Sequence, residues 1–201
     1  MSSDRKTLIA DTAIALLAEL GARGLTHRAV DARAGLPNGS TSFYCRSRND
    51  LLALALNRHA ALDLADLEGG SNRWRVAQPT LDGFVDALVD RIADWLSPDK
   101  RHRLIARFEL FLIASREPEL SAVVEGLRER FMATTVAALT VLGVAQPAQV
   151  APILMMTVDA LLFGQVGRQA QPFDPAQCRA LLMQVVQIPS WTAGEATRTT
   201  S

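Results

Sequence analysis

The residues between Leu25 and Leu52 best suited to chemistry are small and polar. Asn38, Ser40, Thr41 and Ser42 precede Tyr44, and Thr26, Arg28 and Arg48 flank them. These groups bind edges and anions. An Asn amide can make two bonds to adenine, and a Thr methyl can touch the methyl of thymine. Thr26, Tyr44 and Arg48 suit phosphate, a contact that fixes register without reading sequence. His27 either bonds a phosphate or lies exposed. From Arg23 to Arg58 six arginines (23, 28, 33, 46, 48 and 58) stand against Asp31 and Asp50, a net charge of +4. The whole chain is neutral, with 21 Lys+Arg and 21 Asp+Glu. A focal basic patch on a neutral chain fits a defined nucleic-acid contact better than a polybasic tail does.

Local signals predict how these groups are held. Thr26 is a good helix N-cap for a helix over 27–33. Ala29, Val30 and Ala34 share its inner face. Gly35 supplies a left-handed stop, and Leu36 is the apolar residue of the turn. Pro37 fits the first turn of a second helix running to about Cys45. Gly39 inside that helix costs about 1 kcal/mol against Ala. Its presence there implies close approach of another backbone, such as a DNA phosphate strand. Phe43 is expected to pack against the preceding long helix. Ser47 caps the next helix, with Asp50 three residues on as a variant capping box.

The stretch resembles the helix-turn-helix of the tetracycline-repressor (TetR) family, roughly L-T-x-R-x-V-A-x-x-A-G-V-S-x-G-T-L-Y-x-x-F-x-S-K-x-x-L. Leu25, Thr26, Arg28, Val30, Ala34, Gly35, Gly39, Ser47 and Leu51 or Leu52 match without a gap. Asp31 replaces a small residue, Pro37 the capping Ser, Cys45 the aromatic anchor and Arg48 the usual Lys. Ser42 stands where the family has Tyr, and Tyr44 follows two residues later. The resemblance implies a homodimer that binds double-stranded operator DNA through Thr26, His27, Arg28, Pro37, Asn38, Gly39, Ser40, Thr41, Ser42, Tyr44 and Arg48. It also implies a switch, in which an unknown small molecule binds the C-terminal part and the long helix after the motif shifts.

The rest of the chain reads as helix, about nine in total, giving an all-α fold. An N-terminal three-helix helix-turn-helix domain (1–68) is followed by a linker at 69–79, marked by Gly69, Gly70 and Ser71. A helical bundle follows over 80–187, and a Thr- and Ser-rich tail, 188–201, is expected to be disordered. Before the motif, Ile9, Ala13, Leu16, Leu17 and Leu20 form one stripe of a helix over 7–20 that Gly21 ends. After the linker, helices are predicted over 80–96, from Ser97-Pro98-Asp99 to about 115, from Glu117-Pro118 to 142, from Pro147 to about 169, and from Asp174-Pro175 to about 187.

Large adaptable groups of the bundle make a candidate effector site: Phe84, Trp95, Phe108, Phe111, Phe131, Met132, Met155, Met156 and Phe163. His102, Arg107, Glu109 and Asp159 are the polar groups that could point inward. Asp159, amid apolar residues, either meets a ligand or pairs across a dimer, with Arg107 as a possible partner. The last two helices are apolar on more than one side, so they are either central or covered by a second subunit. The resemblance implies the second, through Leu154, Val158, Leu161, Leu162, Gly164, Val166, Leu181, Leu182, Val185 and Val186. Gly164 and Gly167 would allow close helix approach.

No motif supports catalysis, cofactor binding or a metal site. The three histidines, His27, His59 and His102, form no obvious triad. Two cysteines, Cys45 and Cys178, are too few for a disulfide framework and fit a reduced cytoplasm. There is no secretory signal pattern. The apolar run 151–164 looks too short to span a bilayer and contains Asp159, so no membrane partner is expected. The sequence is therefore read as a ligand-responsive repressor. Two alternatives fit the same residues: a helix-turn-helix regulator governed by a protein partner, and a helical small-molecule-binding protein without a DNA role.

Overall fold

The computed structural model of the chain describes residues 2–76, 80–167 and 172–187. Among these residues there are nine α-helices and no strand. They are α1 (Ser2–Gly24), α2 (His27–Arg33), α3 (Ser40–Tyr44), α4 (Arg48–Val76), α5 (Leu81–Trp95), α6 (Pro98–Ala114), α7 (Pro118–Val141), α8 (Pro147–Gly167) and α9 (Pro175–Val186).

Most boundaries follow from local chemistry. The hydroxyls of Thr26 and Thr80 accept bonds from the N–H groups of Ala29 and Gly83, each at 3.1 Å, and so satisfy free donors of α2 and α5. Asp174 accepts from Ala176 and Gln177 at the start of α9. Proline occupies the first turn of α6, α7 and α9, where its missing N–H is not needed. Gly21 leaves the helical region at φ 63° and ψ −168°, and helix resumes to Gly24.

Three expectations are corrected. Gly69, Gly70 and Ser71 do not interrupt the chain, because α4 continues through them to Val76. A glycine inside a helix costs about 1 kcal/mol against Ala, which weakens a helix without necessarily ending it. Residues 77–79 of the expected linker and the tail 188–201 lie outside the described residues. The recognition helix does not begin at Pro37 but at Ser40. Finally, α8 is 21 residues long with a mean hydropathy of 1.6, so by length and composition it could cross a membrane. Its size therefore does not exclude a span. It packs on α6, α7 and α9, and its Asp159 is paired with Arg107.

Two apolar clusters organise the helices. The first joins Ile9, Leu17, Leu25, Val30, Leu51, Leu52 and Leu56 to Leu110, Ile113 and Leu120. Helices α1, α2 and α4 thus share one core with α6 and α7. The second holds Phe84, Val85, Ile92, Leu139, Leu154, Leu162 and Leu182, from α5, α7, α8 and α9. Helix α4 spans the junction, packing against α1 at one end and against α5 and α7 elsewhere.

Candidate nucleic-acid interface

Helix α3 has only five residues, so its position is set by what holds it. The clamp is Asp31 of α2, which is 1% exposed. One carboxylate oxygen accepts the Gly39 N–H at 2.8 Å. The other accepts the Thr41 N–H at 2.8 Å and the Thr41 hydroxyl at 2.6 Å. Burial alone would push this carboxyl up. The Thr41 hydroxyl and the Thr41 and Gly39 amides outweigh it, with His27 adding positive charge, and the group is held below the ordinary Asp value.

The approach to α3 is a tight turn. The Ser40 N–H donates to the Pro37 carbonyl at 3.1 Å, and Gly39 sits at φ 91°. A type II turn needs a positive φ at its third position, and glycine meets that need without steric penalty. Gly39 is therefore a turn residue immediately before α3, and no atom lies within 4 Å of where its Cβ would stand. It answers a dihedral requirement of its own chain, and nothing in that chain crowds its Cβ position.

The groups expected to meet DNA divide in two. Thr26, Arg28, Pro37, Asn38, Gly39, Ser42 and Arg48 are exposed, and Ser40 is partly so. Thr41 is fully buried and bonded to Asp31, which corrects its assignment as a base-reading residue. His27 bonds the Cys45 carbonyl through Nε2 at 2.8 Å, so it ties α2 to the end of α3. Tyr44 is half-buried against the first core. Arg48 donates to the Ala22 carbonyl at 2.6 Å from an exposed position. Phe43 reverses its expected role. It does not pack on α1 but is 81% exposed, with its ring edge-on to Tyr44 at 5.2 Å. The sequence reading missed Asp31 as the clamp, although its departure from the family's small residue was visible.

The candidate effector residues divide between the second core, its margin and the surface. Phe84 is buried in the second core, and Trp95, Phe108 and Met132 pack against that core. Phe111 lies under the Arg107 guanidinium at 5.4 Å. Phe131 and Met155 are half-buried, and Met156 and Phe163 are exposed. Two polar candidates are corrected. His102 is exposed, and Glu109 sits beside Gly21 of α1. Asp159 accepts from Arg107 at 2.6 Å within the same chain.

A polar network links α4 to α5, α6 and α8. His59 contacts Asp63 at 3.2 Å and the Arg103 carbonyl at 2.8 Å. Arg103 bridges Asp63 and Asp66, and Lys100 bridges Asp66 and Asp94. The Trp95 indole N–H also donates to Asp66. Burial pushes Asp63 up, but the His59 bond and the charges of His59, Arg107 and Arg103 hold it below the usual carboxylate range. The cleft they line has about 10 Å³ of free interior, room for about one water. His59, Asp63 and Asp66 share one face of α4, a spacing the sequence offered and the reading passed over.

Several expected dimer residues are core residues of their own chain. Leu154, Leu162, Leu182, Val185 and Val186 are all buried. What α8 and α9 leave outward is Ile153, Met156, Phe163 and Leu181. Val158, Leu161, Gly164 and Val166 are half-buried at its margin, and a Cβ on Gly164 or Gly167 would meet open space. Among the described residues no group of three or more His, Cys, Asp and Glu is placed to hold a metal ion.

Residues 79–188, more than half of the chain, match the model of the tetracyclin repressor-like C-terminal domain. This chain belongs to the TetR family. A TetR-family structure from Streptomyces coelicolor A3 is 25% identical, covering 90% of this chain and 98% of its own, with a TM-score of 0.73. The multidrug binding protein EbrR, solved with ethidium, is 28% identical over 90% of this chain and 98% of its own, with a TM-score of 0.66. A transcriptional regulator from Rhodococcus sp. Rha1 shares the fold at 20% identity over 90% of this chain and 93% of its own, with a TM-score of 0.74. No curated protein sequence matches this one.

Proposed function

We propose that this chain is a sequence-specific DNA-binding transcriptional regulator that acts as a homodimer and releases its operator when a small molecule binds. The observation that carries this reading is the five-residue helix α3, pinned at its start by a buried carboxylate and turned outward. A helix of five residues would not fold alone, so it is held by the Asp31 clamp together with the packing of Thr41 and Tyr44 and the His27 bond to Cys45. Exposed arginines at 28, 46 and 48 surround it and suit a phosphate backbone.

The exposed apolar face of α8 and α9 supports the dimer. Ile153, Met156 and Phe163 follow helical spacing on one side of α8, and Leu181 is an exposed apolar residue of α9, which packs on α8. Two copies joined there by a two-fold axis would present two α3 helices to one duplex.

The effector reading rests on family membership and on the polar network around α4. EbrR has been solved with ethidium, imidazole, malachite green and proflavin. A drug-sized ligand needs several hundred Å³, so the helices lining the small cleft would have to part. Such movement would pull on α4 through Asp63 and Asp66 and alter the spacing of the α3 pair. Nearly complete release needs about 5.5 kcal/mol of differential affinity for the non-binding state.

Selection of bound duplexes from a random pool tests the reading. The expected product is an inverted repeat with half-sites about 10 base pairs, or a multiple, apart. Recovery of no enriched sequence at low salt would favour the helical binding protein without a DNA role.

A further inference from the structure

The groups on α3 able to read bases by hydrogen bonding are fewer than the sequence promised. The Thr41 hydroxyl is spent on Asp31, and Tyr44 rests on the core. Phe43 occupies the opposite side. Residues two apart on a helix differ by about 200°, so a helix that buries Thr41 and Cys45 aims Phe43 almost directly away from the protein. Ser42, next to it in sequence, and Arg46, just beyond the end of α3, are both exposed. The ring is 81% exposed, the most exposed large apolar side chain among the described residues. Its edge-on contact with Tyr44 at 5.2 Å steadies it.

We infer that Phe43 is a specificity-determining residue that reads the 5-methyl group of a thymine in the major groove. The inference rests on the DNA-binding reading of α3 and deepens it. An aromatic ring offers no hydrogen bond, so it cannot recognise the donor and acceptor pattern of a base edge. It can recognise the one apolar group displayed in the major groove, the thymine methyl. The surrounding Arg28, Arg46 and Arg48 favour a polyanionic partner at this surface over another apolar protein. Docking on DNA would remove both ring and methyl from water, recovering apolar burial that the free protein leaves unmade.

The test uses the full chain and its selected operator, with each thymine replaced in turn by deoxyuridine, which lacks only the methyl. The wild-type protein is expected to lose about fourfold in affinity per half-site at one thymine position, the equivalent of about 0.8 kcal/mol for one buried methyl. Phe43→Ala is expected to bind the thymine and uracil duplexes equally, with an unchanged thermal midpoint because the ring supports no core contact. Phe43→Leu, still apolar, should keep part of the discrimination. Equal binding of thymine and uracil duplexes by the wild type overturns the inference while leaving the DNA role standing. So does an unchanged ratio in Phe43→Ala. Failure to bind any duplex would overturn both.

Discussion

Replacing Asp31 by Ala is predicted to loosen the recognition helix more than any surface substitution around it. Asp31 is 1% exposed and accepts three bonds of 2.6–2.8 Å from Gly39 and Thr41. The Gly39 N–H can turn to water when the carboxylate is gone. The Thr41 N–H and hydroxyl cannot, because Thr41 is fully buried. Bonds to a charged group contribute about 1.5–3 kcal/mol each, so losing the two to Thr41 costs about 3 kcal/mol at the low end. For a chain of this size 1 kcal/mol moves the midpoint by about 2–4 °C, giving a fall of about 6–12 °C. Because the folded-state pKa of Asp31 is lowered, its contribution is complete above the unfolded value of about 3.9. It is lost as pH falls through the lower folded value. Thermal melts at pH 7 and in acid would measure both effects, and operator binding should weaken on every sequence. A variant that melts within about 2 °C of the parent at pH 7 and binds normally would refute the clamp.

Other substitutions separate the roles assigned around α3 and the dimer face. Arg48→Ala should weaken binding to all sequences and reduce the slope of log affinity against log salt by about one per protomer. Asn38→Ala should instead change which operators are preferred, as read by competition between selected duplexes. Met156→Glu should shift sedimentation from dimer to monomer, on the order of a hundredfold weaker association. Its circular dichroism should be unchanged, because Met156 is 63% exposed in the protomer. Cys45 and Cys178 are buried, which pushes both thiols up, with Asp50 and Asp174 respectively adding to the shift. Native protein should thus react with a thiol reagent on the order of tenfold more slowly than unfolded chain.

Signals carried by neighbouring residues were legible in the sequence. Thr26, Thr80 and Asp174 announced helix starts because a cap needs only a side chain and an N–H two or three residues on. Gly143 marked the end of α7 and stands at φ 70°. Signals that depend on residues brought together by folding were not legible. Pro37 suits a first helical turn, but it is equally at home ahead of the Asn38–Gly39 turn. Only the bond from Gly39 to Asp31, eight positions away, decides between them. Thr41 looked like a surface residue because nothing local shows the carboxylate above it. On α8 the pattern showed apolar residues on more than one side without saying which side meets α7 and α9. Leu154 and Leu162 went to the core and Met156 and Phe163 to the surface.

Amide hydrogen exchange of the full chain, with and without its selected duplex, tests the central claim most directly. The account predicts new protection across the turn at 37–39, α3 and the start of α4, together with protection of the α8–α9 face that depends on protein concentration and not on DNA. Protection by duplex confined to other helices, with α3 exchanging as in the free protein, would contradict it.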